Sequence, residues 1–228
     1  MSAQLVIMAV VFGGSTAAFL PLLVSRWAVA YGRPARVVCE GCGQAFSGWV
    51  RAGRACRCAG WIGPVVTSGV VAGLLAARLG PVPRLPVLLV AAVLGTLLAL
   101  IDMRCLRLPD PLVATLAIVG GAPLAVLRTS ELGTALVAGA VVGIGYLTIA
   151  LLPGRGLGLG DVKLGAVLAL LLGFGGWPAV AMGFGAAHLI NGVVAGWLLI
   201  SGRARAGQGV PFGPALLCGA LVGVLTAA

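Results

Sequence analysis

Charge is what this sequence lacks. Only 9% of its 228 residues are charged, against ~25% in an ordinary soluble domain. Acidic residues number 5, and there is a single histidine, His188, and a single lysine, Lys163. These shortages exclude several chemistries. One histidine cannot supply a His-Glu-x-x-His zinc helix, and neither that motif nor a Gly-x-Ser-x-Gly nucleophile elbow is present. Aromatic residues make up 6% of the chain, and no basic stripe is interleaved with them. The net charge of +10 therefore does not read as a nucleic-acid surface. The long apolar runs do not alternate, which excludes a membrane β-barrel.

What is present in excess is apolar sequence. Hydrophobic residues are 61% of the chain and the mean hydropathy is +1.15, which calls for lipid as solvent. Glycine, at 37 residues, fits close helix–helix packing within a bilayer. The first run, Ala3–Val24, has no positive segment before it and no clear cleavage site, so it reads as a retained helix. A polar stretch follows, from Ser25 to about Gly60. Further runs fall at about Trp61–Ala77, Leu85–Ile101, Pro111–Leu127, Leu132–Leu152, Val162–Gly173, Trp177–Ile200 and Val210–Ala227. The segment Gly173–Pro178 divides two of them. The expectation is an all-α polytopic membrane protein of about eight transmembrane helices with one small cytoplasmic loop. Its parts are a first helix (1–24), a Cys-containing loop (25–60) and a seven-helix membrane domain (61–228).

Orientation follows from the basic residues. With the 25–60 loop inside, twelve of the fifteen lie on the inner side. Only Arg78, Arg84 and Arg128 fall outside, as the positive-inside rule prefers. Trp61, Trp177 and Trp197 lie near span ends, where interfacial anchoring is expected.

The five acidic residues are Glu40, Asp102, Asp110, Glu131 and Asp161. The derived topology puts all three aspartates on the inner side. Carboxylates at membrane depth are costly and mark functional positions. Two held close share one proton and can activate water against a peptide carbonyl. Structural readings compete with that one. Asp110, between Pro109 and Pro111, reads as a helix cap. Asp161 also suits the positive end of a helix, and Asp102 could simply pair with Arg104 or Arg107. Lys163 marks the inner boundary or stabilises a developing oxyanion, the boundary reading being preferred. His188, with Asn191 one turn on, reads as a buried hydrogen-bonding residue, with a catalytic relay as the alternative.

Six cysteines are present. Cys105 and Cys218 read as inert packing residues near helix ends. Cys39, Cys42, Cys56 and Cys58 share the polar loop, and a reducing compartment argues against disulfides there. Two close pairs of thiolates suit tetrahedral zinc, although Cys56-Arg57-Cys58 is one residue tighter than the usual pair.

Gly158-Leu159-Gly160-Asp161-Val162-Lys163 resembles the Gly-x-Gly-Asp-x-Lys motif of the type IV prepilin leader peptidases, GxGD-type intramembrane aspartyl proteases. Ile101-Asp102-Met103-Arg104 with Leu108-Pro109-Asp110 resembles the family's other aspartate motif. Pro211-Phe212-Gly213-Pro214 resembles its segment before the last span. The resemblance implies that Asp102 and Asp161 are the catalytic pair. It implies that Gly158, Gly160, Lys163 and Asp110 are motif or substrate-binding residues. The implied substrates are prepilins or pseudopilins of type IV pilus and type II secretion systems, with a basic leader and an apolar helix. Cleavage would fall at the cytoplasmic face of the bacterial inner membrane. Many members also N-methylate the product from S-adenosylmethionine and carry a two-pair cysteine loop. The loop here is a shortened form of it, and no glycine-rich strand–helix unit for that cofactor is evident. A proton-coupled transporter using the same aspartates, or a non-catalytic assembly subunit, are the alternative readings. The transporter reading lacks an internal repeat of spans.

Overall fold

The computed structural model describes residues 3–29, 33–39, 43, 45, 60–153, 157–203 and 210–227. Among these the chain is helical, and helices fall on all eight apolar runs. Six stretches are long and apolar enough to cross a membrane: Ala3–Trp27, Ile62–Leu79, Leu85–Cys105, Asp110–Leu127, Thr129–Leu151 and Trp177–Ile200. The other two runs form helices of 15 and 14 residues. Many large side chains point outward, Val126 at 78% exposure and Ile200 at 90% among them. Water would penalise such a surface and lipid does not. The chain is a multi-pass membrane protein.

Two compact units are present, residues 1–107 and 108–228. In the first, the Ala3–Val24 run is two helices, not one: α1 (Ala3–Ala17) and α2 (Leu20–Trp27). The break falls just before Pro21, which fits only the first turn of a helix because it has no N–H to donate. Helix α1 packs on α3 (Ile62–Leu79), and glycines make the approach possible. A Cβ at Gly13 would lie 2.5 Å from the Ser68 carbonyl oxygen, and one at Gly73 would lie 2.8 Å from Val10 Cγ2. Helix α4 (Leu85–Cys105) packs on α3 and α2. Past its end, the Arg107 guanidinium donates to the Val29 carbonyl at 3.3 Å. That bond brings the end of α4 together with the start of the polar loop.

The second unit begins with α5 (Asp110–Leu116), a π-helical turn (Ala117–Gly121) and α6 (Ala122–Leu127), which together make up the expected fourth span. Gly120 and Gly121 in the π turn sit against Leu171 and Leu170. Helices α7 (Leu132–Leu151) and α8 (Leu159–Gly173) are packed along their length. Gly139 and Gly143 of α7 face Ala166 and Leu170 of α8. The division at Gly173–Pro178 is real: α8 ends at Gly173 and α9 (Trp177–Ile200) begins after Gly176. Gly176 has φ +85°, a backbone conformation that side chains resist. Helix α10 (Gly213–Thr226) packs on α9 through Gly219 and Gly223, and also touches α8. Ala138, Leu172, Ala179 and Val180 form the core where these helices meet.

Trp61, Trp177 and Trp197 are all about half exposed, at helix ends. Arg203 lies over the Trp197 ring at 4.8 Å, a cation–π contact suited to a bilayer interface.

Candidate active site

Asp102 sits in the last turn of α4 and is 4% exposed. Leu98 and Ile101 beside it are fully buried, so their burial turns that face of the helix, and the carboxylate with it, inward. The Asp102 carbonyl accepts the Leu106 N–H at 2.8 Å. Leu106 stands at φ +50°, a left-handed cap taken without glycine. The chain therefore turns sharply one turn after the aspartate.

Asp161 is the third residue of α8, whose N-cap is Gly158. It is not the capping residue, but it lies in the first turn, where the helix dipole favours a carboxylate. Its own N–H donates to the Gly158 carbonyl at 3.0 Å. A Cβ at Gly158 would lie 3.1 Å from Asp161 Oδ2, so the carboxylate occupies the space that a side chain at 158 would need. Gly160 serves a different contact. A Cβ there would lie 3.2 Å from Leu108 Cβ, so the missing side chain lets the Leu108–Asp110 segment lie against α8.

Asp110 and Lys163 meet on that surface. Lys163 Nζ donates to Asp110 Oδ2 at 2.7 Å, with the two side chains 52% and 67% exposed. One expectation is corrected. Asp110 is not the cap of α5: Pro109 is the N-cap residue, and Asp110 is the first helical residue with no capping bond from its side chain. Lys163 pairs with Asp110, a contact that neither of its two readings anticipated.

His188 also departs from its expected burial. It is exposed, and its two ring nitrogens are engaged: Nδ1 lies 2.7 Å from the Phe184 carbonyl and Nε2 lies 3.4 Å from the Tyr146 hydroxyl. Tyr146 is 7% exposed, and its ring covers Gly165, one turn beyond Asp161 on α8. The ring therefore sits on the face of α8 that carries Asp161. Phe184 and Phe212 complete the aromatic group around Tyr146 and His188, with ring centroids 5.6–6.3 Å apart. Reading the sequence missed Tyr146. The available signal was the scarcity of tyrosine, at two residues, and the placing of this one inside an apolar run.

Of the four loop cysteines, Cys39 is described and buried; Cys42, Cys56 and Cys58 lie outside the described residues. Around Cys39 the chain reverses tightly. Gly43 N–H donates to the Cys39 carbonyl at 2.8 Å with φ +69°, and Val38 pairs antiparallel with Ala45. Among the described residues no group of three or more metal-binding side chains occurs. Cys105 ends α4 and its thiol donates to the Ile101 carbonyl at 3.3 Å. Cys218 lies mid-helix in α10 and is exposed, not near a helix end as expected.

Residues 89–200 match the family model described as the Type IV leader peptidase family. The match takes in Asp102, Asp110, Tyr146, Gly158, Gly160, Asp161, Lys163 and His188, and leaves out Cys39 and Phe212. No curated protein and no solved structure matches the chain.

Proposed function

From the premise that residues 89–200 belong to the Type IV leader peptidase family, we propose that this chain is an intramembrane aspartyl endopeptidase. Asp102 and Asp161 are its catalytic pair. It removes the basic leader of prepilins or pseudopilins at the cytoplasmic face of a bacterial inner membrane. The observation that carries the reading is the setting of Asp161, a carboxylate in the first turn of α8 for which Gly158 leaves room. Connectivity supports the pairing. Asp102 closes the third span and Asp161 opens the sixth, so strict alternation of crossings brings both to one side of the membrane.

The chemistry follows from two carboxyl groups sharing a proton. One carboxylate takes a proton from water, whose oxygen attacks the scissile carbonyl. The other carboxyl protonates the nitrogen as the C–N bond breaks. Lys163 and Asp110 neutralise each other on the exposed surface near the start of α8. A leader rich in lysine and arginine is drawn to the membrane face where substrate and enzyme meet.

The cysteine loop is proposed to hold zinc through Cys39, Cys42, Cys56 and Cys58. Cys39, buried at a tight reversal, fits one ligand of such a site. The metal would stiffen the loop and supplies nothing to the hydrolysis. The proposal covers leader hydrolysis and not N-methylation from S-adenosylmethionine, for which the described residues supply no argument.

The test is cleavage of a co-expressed prepilin-type substrate by wild type, Asp102→Asn and Asp161→Asn at matched membrane levels. Asparagine keeps the shape and cannot exchange a proton. Either substitution alone is expected to abolish cleavage. Full activity in both variants would move the transporter and scaffold readings ahead.

A further inference from the structure

One polar contact in the second unit is left over once the aspartates are assigned: Tyr146 hydroxyl to His188 Nε2. The direction of the proton in that contact can be worked out. Nδ1 of His188 lies 2.7 Å from the Phe184 carbonyl oxygen, which can only accept. Nδ1 therefore carries a hydrogen. In the neutral ring Nε2 is then the acceptor, and the Tyr146 hydroxyl must be the donor. The hydroxyl proton is committed to α9, which leaves the tyrosine oxygen able to accept a hydrogen bond.

The oxygen is held in place. Tyr146 is 7% exposed, and its ring sits on Gly165, where any side chain would collide with Cδ2 and Cε2 at 2.8 Å. Phe184 meets the ring edge-on at 5.8 Å, and Phe212 tilts against it from the chain just before α10. Gly165 is four residues after Asp161, so both lie on one face of α8.

Hydrolysis has a use for such an acceptor. Water's oxygen bonds to the carbonyl carbon as the C–N bond breaks. One of its protons passes to the carboxyl pair and on to the leaving amine. The other stays on the new carboxyl group. While the first proton is being taken, the second hydrogen needs an acceptor, and that bond aims the water's lone pair at the carbonyl. We propose that the Tyr146 oxygen is this acceptor beside Asp161, and that His188 is a positioning residue that acts through it by occupying the tyrosine's own proton. The proposal rests on the peptidase reading above.

The test is steady-state cleavage of a prepilin-type peptide by the full-length protein in detergent or nanodiscs. The variants are Tyr146→Phe, His188→Leu, His188→Gln and the Tyr146→Phe/His188→Leu double. Tyr146→Phe keeps the ring on Gly165, so it separates chemistry from folding. It is expected to lower kcat on the order of tenfold or more while KM stays within about twofold. His188→Leu should do the same, and the double variant should be no slower than the worse single, because one device is lost once. His188→Gln, whose amide oxygen can accept the tyrosine proton, should recover part of the rate. Wild-type kcat in Tyr146→Phe, losses that multiply in the double variant, or a change confined to KM would each overturn the proposal. Asp161→Asn is run alongside. If it cleaves like wild type, the peptidase reading itself falls; if it is inactive while Tyr146→Phe is unaffected, only this inference does.

Discussion

Replacing Gly158 by alanine adds a single methyl group, and the structure says where it goes. The new Cβ would stand 3.1 Å from Asp161 Oδ2 and 4.0 Å from its Cγ. The first distance is tighter than an ordinary contact, so the carboxylate must give by a few tenths of an ångström. The backbone is no obstacle: Gly158 has φ −75° and ψ 144°, which alanine adopts freely. Two small stability terms then oppose each other. Alanine is a poorer N-cap than glycine by roughly half a kcal/mol, and it restricts the unfolded chain by about as much in the other direction. Net stability should change by less than about 1 kcal/mol, and the amount of protein in the membrane should hold. Catalysis is more sensitive. A misplacement of about 1 Å can cost on the order of a hundredfold, so a few tenths should cost roughly three- to tenfold in kcat. Purified Gly158→Ala, →Ser and →Val, assayed on one prepilin-type peptide, should lose kcat in that order with KM nearly constant. Wild-type kcat in the alanine variant would refute the reasoning, since the carboxylate could not then be resting against position 158 in the working enzyme. Loss of folded protein in that variant would refute it differently, by making the glycine a folding requirement.

Three further outcomes are expected. Lys163→Met and Asp110→Asn each break an ion pair with both side chains more than half exposed, so each should cost about 0.2–1 kcal/mol, less at high salt; thermal unfolding at two ionic strengths checks this. Gly219→Leu should destabilise by about 1–3 kcal/mol in denaturant titration, because its side chain would drive α10 off Ala187 of α9; Gly145→Leu, which faces open space on α7, should be nearly neutral. Zinc in the purified full-length protein, measured by elemental analysis, should fall in Cys39→Ser from about one ion per chain, while leader cleavage persists.

Much of the architecture was legible because lipid imposes a simple rule. A crossing segment must satisfy its own backbone, so apolar runs become helices and polar loops become boundaries. The Gly173–Pro178 division shows how local chemistry sharpened that rule, with Gly176 needed at φ +85° and Pro178 fitting the first turn of α9. What hydropathy did not carry was irregularity inside a run. The break between α1 and α2, and the π turn at Ala117–Gly121, sit in sequence as apolar as their surroundings. The π turn rests Gly120 and Gly121 on leucines 171 and 170, and that contact depends on α8, which lies far along the chain. Side-chain pairings were hidden for the same reason. Asp110 meets Lys163 across 53 residues and Tyr146 meets His188 across 42. The motifs made each residue conspicuous, and no spacing rule joined them.

The two helices too short to count as spans are informative about the site. An α-helix of 15 residues reaches about 22 Å and one of 14 about 21 Å, short of a hydrocarbon layer of ~30 Å. Their partners are longer, with α7 at 20 residues and α9 at 24. The glycine contacts fix the registers. Gly165 faces Tyr146 and Gly173 faces Ala135, which sets Asp161 level with the last turn of α7. Gly219 faces Gly183 and Ala187, so α10 begins near the level of residue 191 and α9 runs on for about nine residues more. A tenth helix of full length would carry backbone through that layer. The short one leaves it to Phe212, whose ring packs on both Tyr146 and His188. Pro211 and Pro214 on either side of Phe212-Gly213 make this physically reasonable, since neither can sit inside a longer helix without breaking it. The segment before the last span thus starts its helix about nine residues short of the end of α9. Its effect is to put an aromatic ring, not a turn of helix, against Tyr146 and His188.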